Sequence, residues 1–139
     1  MKIISHEITK KTKGNCDIID ITGEINEVIL KSGIKEGSCT VFSVGSTAGI
    51  TTIEYEPGLL KDIPKLFDKL IPSAVRYNHD DTWGDGNGHA HLRSALIKTS
   101  LSIPVIKGEL TLGTWQQVVL LDFDNRSRTR RIVIQVLGE

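Results

Sequence analysis

The chain has 139 residues, with 17 Lys plus Arg against 17 Asp plus Glu and a formal net charge of zero. That length suits one domain burying about two-thirds of its unfolded surface, and the balanced charge supplies no global field toward nucleic acid or an anionic membrane. No apolar run approaches the ~20 residues that span a bilayer, the N-terminal stretch has no signal-peptide core, and Cys16 and Cys39 form neither a disulfide framework nor a C-x-x-C pair. A cytoplasmic protein with two buried thiols is expected.

Ile4, His6 and Ile8 alternate with Ser5, Glu7 and Thr9, which predicts a half-buried strand. The polar run Lys10 to Asn15 turns the chain into a second strand from Cys16 to Ile21. Thr22 is placed to cap a helix bearing Ile25, Val28 and Ile29, ended by Gly33. Strands follow at Thr40 to Val44 and Ile50 to Glu54, around the turn Gly45-Ser46-Thr47-Ala48-Gly49. Pro57 suits a first helical turn, and Asp62 is a candidate cap for a segment with Leu66, Phe67 and Leu70. Tyr77 to Gly88 lacks apolar periodicity and predicts a loop. A helix capped by Asn87 comes next, with Leu92, Ala95 and Leu96 on its apolar face. Ile103 to Ile106, Glu109 to Leu112, Trp115 to Phe123 and Ile132 to Leu137 read as strands, with Lys107-Gly108 as a tight turn. The expected class is α+β, a single domain of mostly antiparallel strands with about three short helical segments.

Three of the four histidines and three carboxylates fall between Tyr77 and His91. Imidazole is both a common metal ligand and a proton-transfer group near neutrality. On a strand His89 and His91 would share a face and chelate; on the helix favoured here they diverge by about 200 degrees. Asn87 and His91 then lie one above the other. Gly86 and Gly88 at a helix start also suit the approach of an anion.

A second constellation is Asp122-Phe123-Asp124 followed by Arg126, Arg128, Arg130 and Arg131. In an extended segment Arg126, Arg128 and Arg130 share one side and form a candidate phosphate clamp, because guanidinium forks match phosphate oxygens. The alternative is a hairpin tip whose acids and arginines pair with each other. Four arginines without interleaved aromatics are poor evidence for single-stranded nucleic-acid binding. The Gly45–Gly49 turn lacks nucleophile-elbow spacing and is not a Walker loop.

The segments STAGITTIEYEPGL, YNHDDTWGDGNGHAHLRSALI, SIPVIKGELTLGTWQQVVLLDFD and RSRTRRIVIQVLG, in this order, resemble the YjbQ family, named for a secondary thiamine-phosphate synthase activity. The resemblance covers nearly the whole chain, which reads as one YjbQ-like domain over residues 1–139. It implies an α+β homotrimer with His79, Asn87, His89 and His91 near a polar pocket. It also implies a transferase that joins a pyrimidine diphosphate to a thiazole phosphate and releases pyrophosphate.

In that reading His79, His91 and Asn87 are the catalytic candidates, with an imidazole protonating the leaving group. Arg126, Arg128 and Arg130 bind phosphate, and Asp80, Asp81 or Asp85 holds Mg²⁺. Two alternatives stand beside it. One is a hydrolase with a Zn²⁺ ion on His79, His89, His91 and Asp85, and Glu54 or a nearby Asp as base. The other is a non-enzymatic binding module for a phosphorylated or metal-bound effector. The expected partner is a phosphorylated small molecule, with neither nucleic acid nor membrane.

Overall fold

The computed structural model, which describes residues 1–139, has eight strands and four helices. In chain order these are β1 (Lys2–Lys11), β2 (Asp17–Asp20), α1 (Thr22–Ser32), β3 (Glu36–Val44), β4 (Ala48–Ile53), α2 (Pro57–Leu70), α3 (Asn78–Trp83), α4 (Gly88–Ile97), β5 (Ser100–Ile106), β6 (Glu109–Leu110), β7 (Gln117–Asp122) and β8 (Thr129–Gly138). Every strand pair is antiparallel. One sheet has the order β1-β8-β3-β5-β6 and the other β2-β7-β4. The expected α+β class holds, with a fourth helix added. No helix is long and apolar enough to cross a membrane.

The molecule is layered by the two faces of β7. Val118 and Leu120 look into the larger core, where Cys39 and Val41 of β3, Ile132, Ile134 and Val136 of β8, and Ile25 and Ile29 of α1 meet. Val119 and Leu121 look the other way, toward Phe67 of α2, Ala90 of α4, and Phe123. Burying each such aliphatic side chain contributes roughly 1.5–3 kcal/mol, so β7 is held from both sides. That is why its run reads as continuously apolar rather than alternating.

Several local expectations need correction. Thr22 is the first helical residue rather than a cap: its hydroxyl donates to Asp20 Oδ1 at 2.7 Å, and the same oxygen accepts the Thr22 N–H at 3.0 Å. Asp62 lies inside α2, which is one helix running through Pro64. Its cap is Glu56, whose carboxylate accepts from the Gly58 and Leu59 N–H groups. The inward side of β1 is only partly covered, because α1 leaves a cleft lined by Ile4, His6, Ile8 and Val28 at this sheet edge. Of the predicted apolar residues on α2, Phe67 is buried but Leu66 and Leu70 are exposed, and on α4 the predicted apolar face points outward, with Leu92, Ala95 and Leu96 exposed.

In α4 the inward positions are instead His89, Ala90, Arg93 and Ser94. Arg93 donates from Nε and Nη2 to the Ile71 carbonyl at 3.0 and 2.8 Å, pairs with Asp68, and lies over the Phe67 ring. A guanidinium is well placed there, since the last carbonyls of α2 carry the negative end of its dipole. Gly49 lets α4 approach β4: a Cβ on it would stand 2.7 Å from the Ile97 side chain.

Candidate functional site

The polar segment after Tyr77 is organised as a short helix, a turn and a second helix rather than the predicted loop. The Asp80 carboxylate begins α3 by accepting the Tyr77 N–H on Oδ2 at 3.0 Å, and the Tyr77 hydroxyl donates to the Pro72 carbonyl at 2.6 Å. Gly84 ends α3 in the left-handed conformation, at φ 65°. Asp85 then accepts the Asn87 N–H at 3.2 Å, closing the turn into α4. Gly88 sits where a Cβ would stand 2.7 Å from Tyr77 Cβ and 3.3 Å from His79 Cβ, so only glycine lets the two helix starts meet.

This packing brings His79, Asp80 and Asp85 together, with one ligand atom from each within 4.8 Å of the others. His79 Nδ1 stands 3.5 Å from Asp85 Oδ1. His79 Nδ1 and Asp80 Oδ1 are buried and have no hydrogen-bond partner, which is costly for polar atoms out of water. First-row metal bonds of about 2.0–2.2 Å put neighbouring ligand atoms roughly 3–3.5 Å apart, so this donor set fits a divalent ion after small side-chain shifts. The rings of His79 and His91 lie 4.4 Å apart, which places a second imidazole beside the cluster.

The remaining candidate residues fall elsewhere. His89 is buried on the inward side of α4, and its Nδ1 also lacks a partner. Burial first, and then the Arg93 charge, holds this imidazole below its ordinary pKa, against opposing effects of Asp80, Gly86 and Asp124. The helical turn between His89 and His91 thus keeps them from one centre. Asp81 pairs with Arg76 at the surface. Glu54 follows the end of β4 opposite to Ala48, whose carbonyl accepts the Ser94 hydroxyl of α4, about 20 Å of strand away, and it is not among the residues gathered around His79. Asn87 occupies the cap position of α4 without a side-chain cap bond, and its Oδ1 instead accepts the Asn125 N–H at 3.1 Å.

That contact ties the histidine segment to the arginine cluster, where the paired alternative describes the geometry. Arg130 donates from Nε and Nη2 to the two Asp122 carboxylate oxygens, each at 2.7 Å, and from Nη2 to the Thr47 hydroxyl at 2.6 Å. Arg128 donates to Asp124 at 3.0 Å, and Thr47 donates to the same oxygen at 2.9 Å. Arg126 is exposed and donates its backbone N–H to Asp124. Arg126, Arg128 and Arg130 therefore form no common clamp, since Arg130 points into the core and Arg128 pairs at its edge. Burial is the largest effect on Asp124 and pushes its pKa up. Hydrogen bonds from Thr47, Arg128 and Asn87, with the Arg128 charge, outweigh it and leave the carboxyl below its ordinary value. Asp80 was one of three candidate carboxylates for a metal, and the structure brings it and Asp85, but not Asp81, to His79; the Thr47 network was marked only by a hydroxyl in the Gly45–Gly49 turn.

Comparison with known proteins places this geometry among relatives. The family described as UPF0047 protein YjbQ-like matches residues 6–139. A UPF0047 protein of Archaeoglobus fulgidus is 37% identical over 131 residues, 94% of this chain and 99% of that protein. One from Methanothermobacter thermautotrophicus is 36% identical over 139 residues, 100% of this chain and 95% of that protein. The crystal structure of a YbjQ-like protein of unknown function from Sulfolobus solfataricus superposes with a TM-score of 0.93 at 32% identity, covering 99% of each chain. These findings overturn the expected thiamine-phosphate synthase transferase: the relatives are named only as UPF0047 proteins, and the Sulfolobus structure is described as of unknown function.

Proposed function

The chain belongs to the YjbQ-like UPF0047 family, and from that premise we propose that it is a metal-dependent protein in which His79, Asp80 and Asp85 hold a divalent ion. The observation that carries the proposal is the pair of buried, partnerless atoms, His79 Nδ1 and Asp80 Oδ1, converging with the Asp85 carboxylate. One imidazole nitrogen with two carboxylates favours Zn²⁺ or another first-row ion over Mg²⁺, which prefers an all-oxygen shell. A divalent ion held by these three residues would supply Lewis-acid chemistry at the site. His91, half-buried beside His79, is the group placed to hold or move a proton next to the cluster. Asn87 acts as a strut, fixing the turn between the helices to the β7–β8 connection.

Equilibrium dialysis with elemental analysis tests this on the metal-stripped protein. Zn²⁺, Mn²⁺ and Mg²⁺ are compared for the wild type, His79→Ala, Asp80→Asn and Asp81→Asn. One equivalent of a first-row ion, lost in the first two variants and retained in the third, is the expected result. Equal binding by His79→Ala and the wild type would place the ion elsewhere.

Assembly as a homotrimer is part of the same proposal. Its support is the outward apolar face of α4, where Leu92 and Leu96 are exposed a few residues from His91. Contiguous exposed apolar side chains mark association surfaces. Light scattering decides it, and a monomer at micromolar concentration refutes it. The buried free thiols Cys16 and Cys39, both pushed up to about 11 by burial, fit the proposed reducing cytoplasm.

A further inference from the structure

Beside His91 the surface opens into a cleft of about 370 Å³, bordered by Gly45, Ser46, His91, Ser94, Lys98 and Thr99. None of the residues lining it is a carboxylate and Lys98 is the one lysine or arginine among them; its ammonium has no ion-pair or hydrogen-bond partner, whereas the Arg130 guanidinium behind Gly45 is paired with Asp122. The hydroxyls of Ser46 and Thr99 likewise make no hydrogen bond within the chain, whereas the Ser94 hydroxyl donates to the Ala48 carbonyl. We propose that this cleft binds the oxyanion group of a small acidic ligand, a phosphate or a carboxylate, between Lys98 and the free hydroxyls.

The backbone at Lys98 supports the assignment independently. Lys98 has φ 77° and ψ 163°, a region that essentially only glycine occupies without strain. The strain is imposed by the surroundings. The Lys98 N–H bonds the Ser94 carbonyl at 2.8 Å, its carbonyl accepts the Ile50 N–H at 3.0 Å, and the Thr99 carbonyl accepts the Ser43 N–H at 2.8 Å. These bonds force α4 to turn at once into β5. Glycine would satisfy the turn more cheaply, so a side chain kept there at conformational cost points to a role for that side chain. Lys98 lines the same cleft as His91, the imidazole stacked beside the proposed ligand His79.

This assignment deepens the metal reading by giving the ligand an acidic group beside the ion. It is tested on metal-stripped protein so that the two can fail separately. The ¹H–¹⁵N spectrum of the whole chain is titrated with inorganic phosphate and, in a second arm, with acetate. Wild type, Lys98→Met, Lys98→Gly and, as a control, Lys107→Met are compared. Saturable shifts at Ser46, His91 and Thr99 are expected, with dissociation constants raised at least about fivefold in both Lys98 variants and unchanged in the control. The arm that saturates at lower concentration identifies phosphate or carboxylate as the group. Lys98→Gly separates ligand binding from folding, because it keeps the turn without the ammonium. No saturable shift in either arm, or equal affinity in wild type and both Lys98 variants, would overturn the assignment while leaving the dialysis result for His79 and Asp80 untouched.

Discussion

Replacing Arg130 by Ala should destabilise the protein severely, although the residue sits in a stretch that reads as a solvated arginine run. Arg130 is 7% exposed, and Asp122 is fully buried. Its guanidinium makes two 2.7 Å bonds to that carboxylate and a third to the Thr47 hydroxyl. Truncation leaves the Asp122 charge with only the Thr12 hydroxyl at 2.5 Å and the Asp124 N–H at 3.0 Å as donors. Breaking a buried pair by removing one partner costs about 3–5 kcal/mol, because the remaining charge stays desolvated. An unfolding entropy of about 2.1 cal/mol/K per residue converts that into a fall of about 10–17 °C in Tm for a chain of this length. Thermal denaturation followed by circular dichroism measures it, with Arg126→Ala as a control at an exposed site, where the change should stay within about 0.5 kcal/mol. Adding Asp122→Asn to Arg130→Ala should recover part of the loss by removing the orphaned charge. A single Arg130→Ala variant melting within about 2 °C of wild type would refute this expectation, since a shift that small corresponds to well under the cost of an uncompensated buried carboxylate.

Two further outcomes follow from the same connections. Gly88→Ala would normally gain up to about 1 kcal/mol of helix propensity, but the close approach to Tyr77 and His79 should reverse the sign. A lower Tm together with weaker metal binding in equilibrium dialysis is expected, and an unchanged affinity would dissociate the helix contact from the cluster. Asp124 supplies a pH test. Its carboxyl is held below the ordinary value of 3.8, so the folded state binds this proton less readily than the unfolded state. Its stabilising contribution is complete above that ordinary value and is lost as the pH falls through the lower folded pKa. Asp124→Asn should therefore be less stable at neutral pH yet lose less Tm on acidification in this range, as a series of thermal melts would show; parallel wild-type and variant profiles would contradict it.

Strand identity and class could be read from the chain because a half-buried strand imposes period two on its own sequence, as in β8, and a doubly buried one imposes a continuous apolar run, as in β7. The crowding of His79, Asp85, His89 and His91 around glycines likewise marked the candidate segment without coordinates. Tertiary structure alone decided which members converge. The turn at Gly84 to Gly86 and the Gly88 contact with Tyr77 join His79 to Asp80 and Asp85, whereas α4 turns His89 inward. Propensity also could not foresee that α4 would bury Arg93 and Ser94 and expose Leu92 and Leu96. That choice depends on the Ile71 and Ala48 carbonyls, brought from distant segments to meet those polar groups. For the arginine run, local sequence permitted either a clamp or internal pairing. The register of β8 settled it by directing Arg130 toward Asp122 on the inner face and Arg131 toward Glu7 on the outer one. An ion pair depends on which charges the fold brings within reach and how much water it removes from them, and neither quantity is encoded in the spacing of residues along the chain.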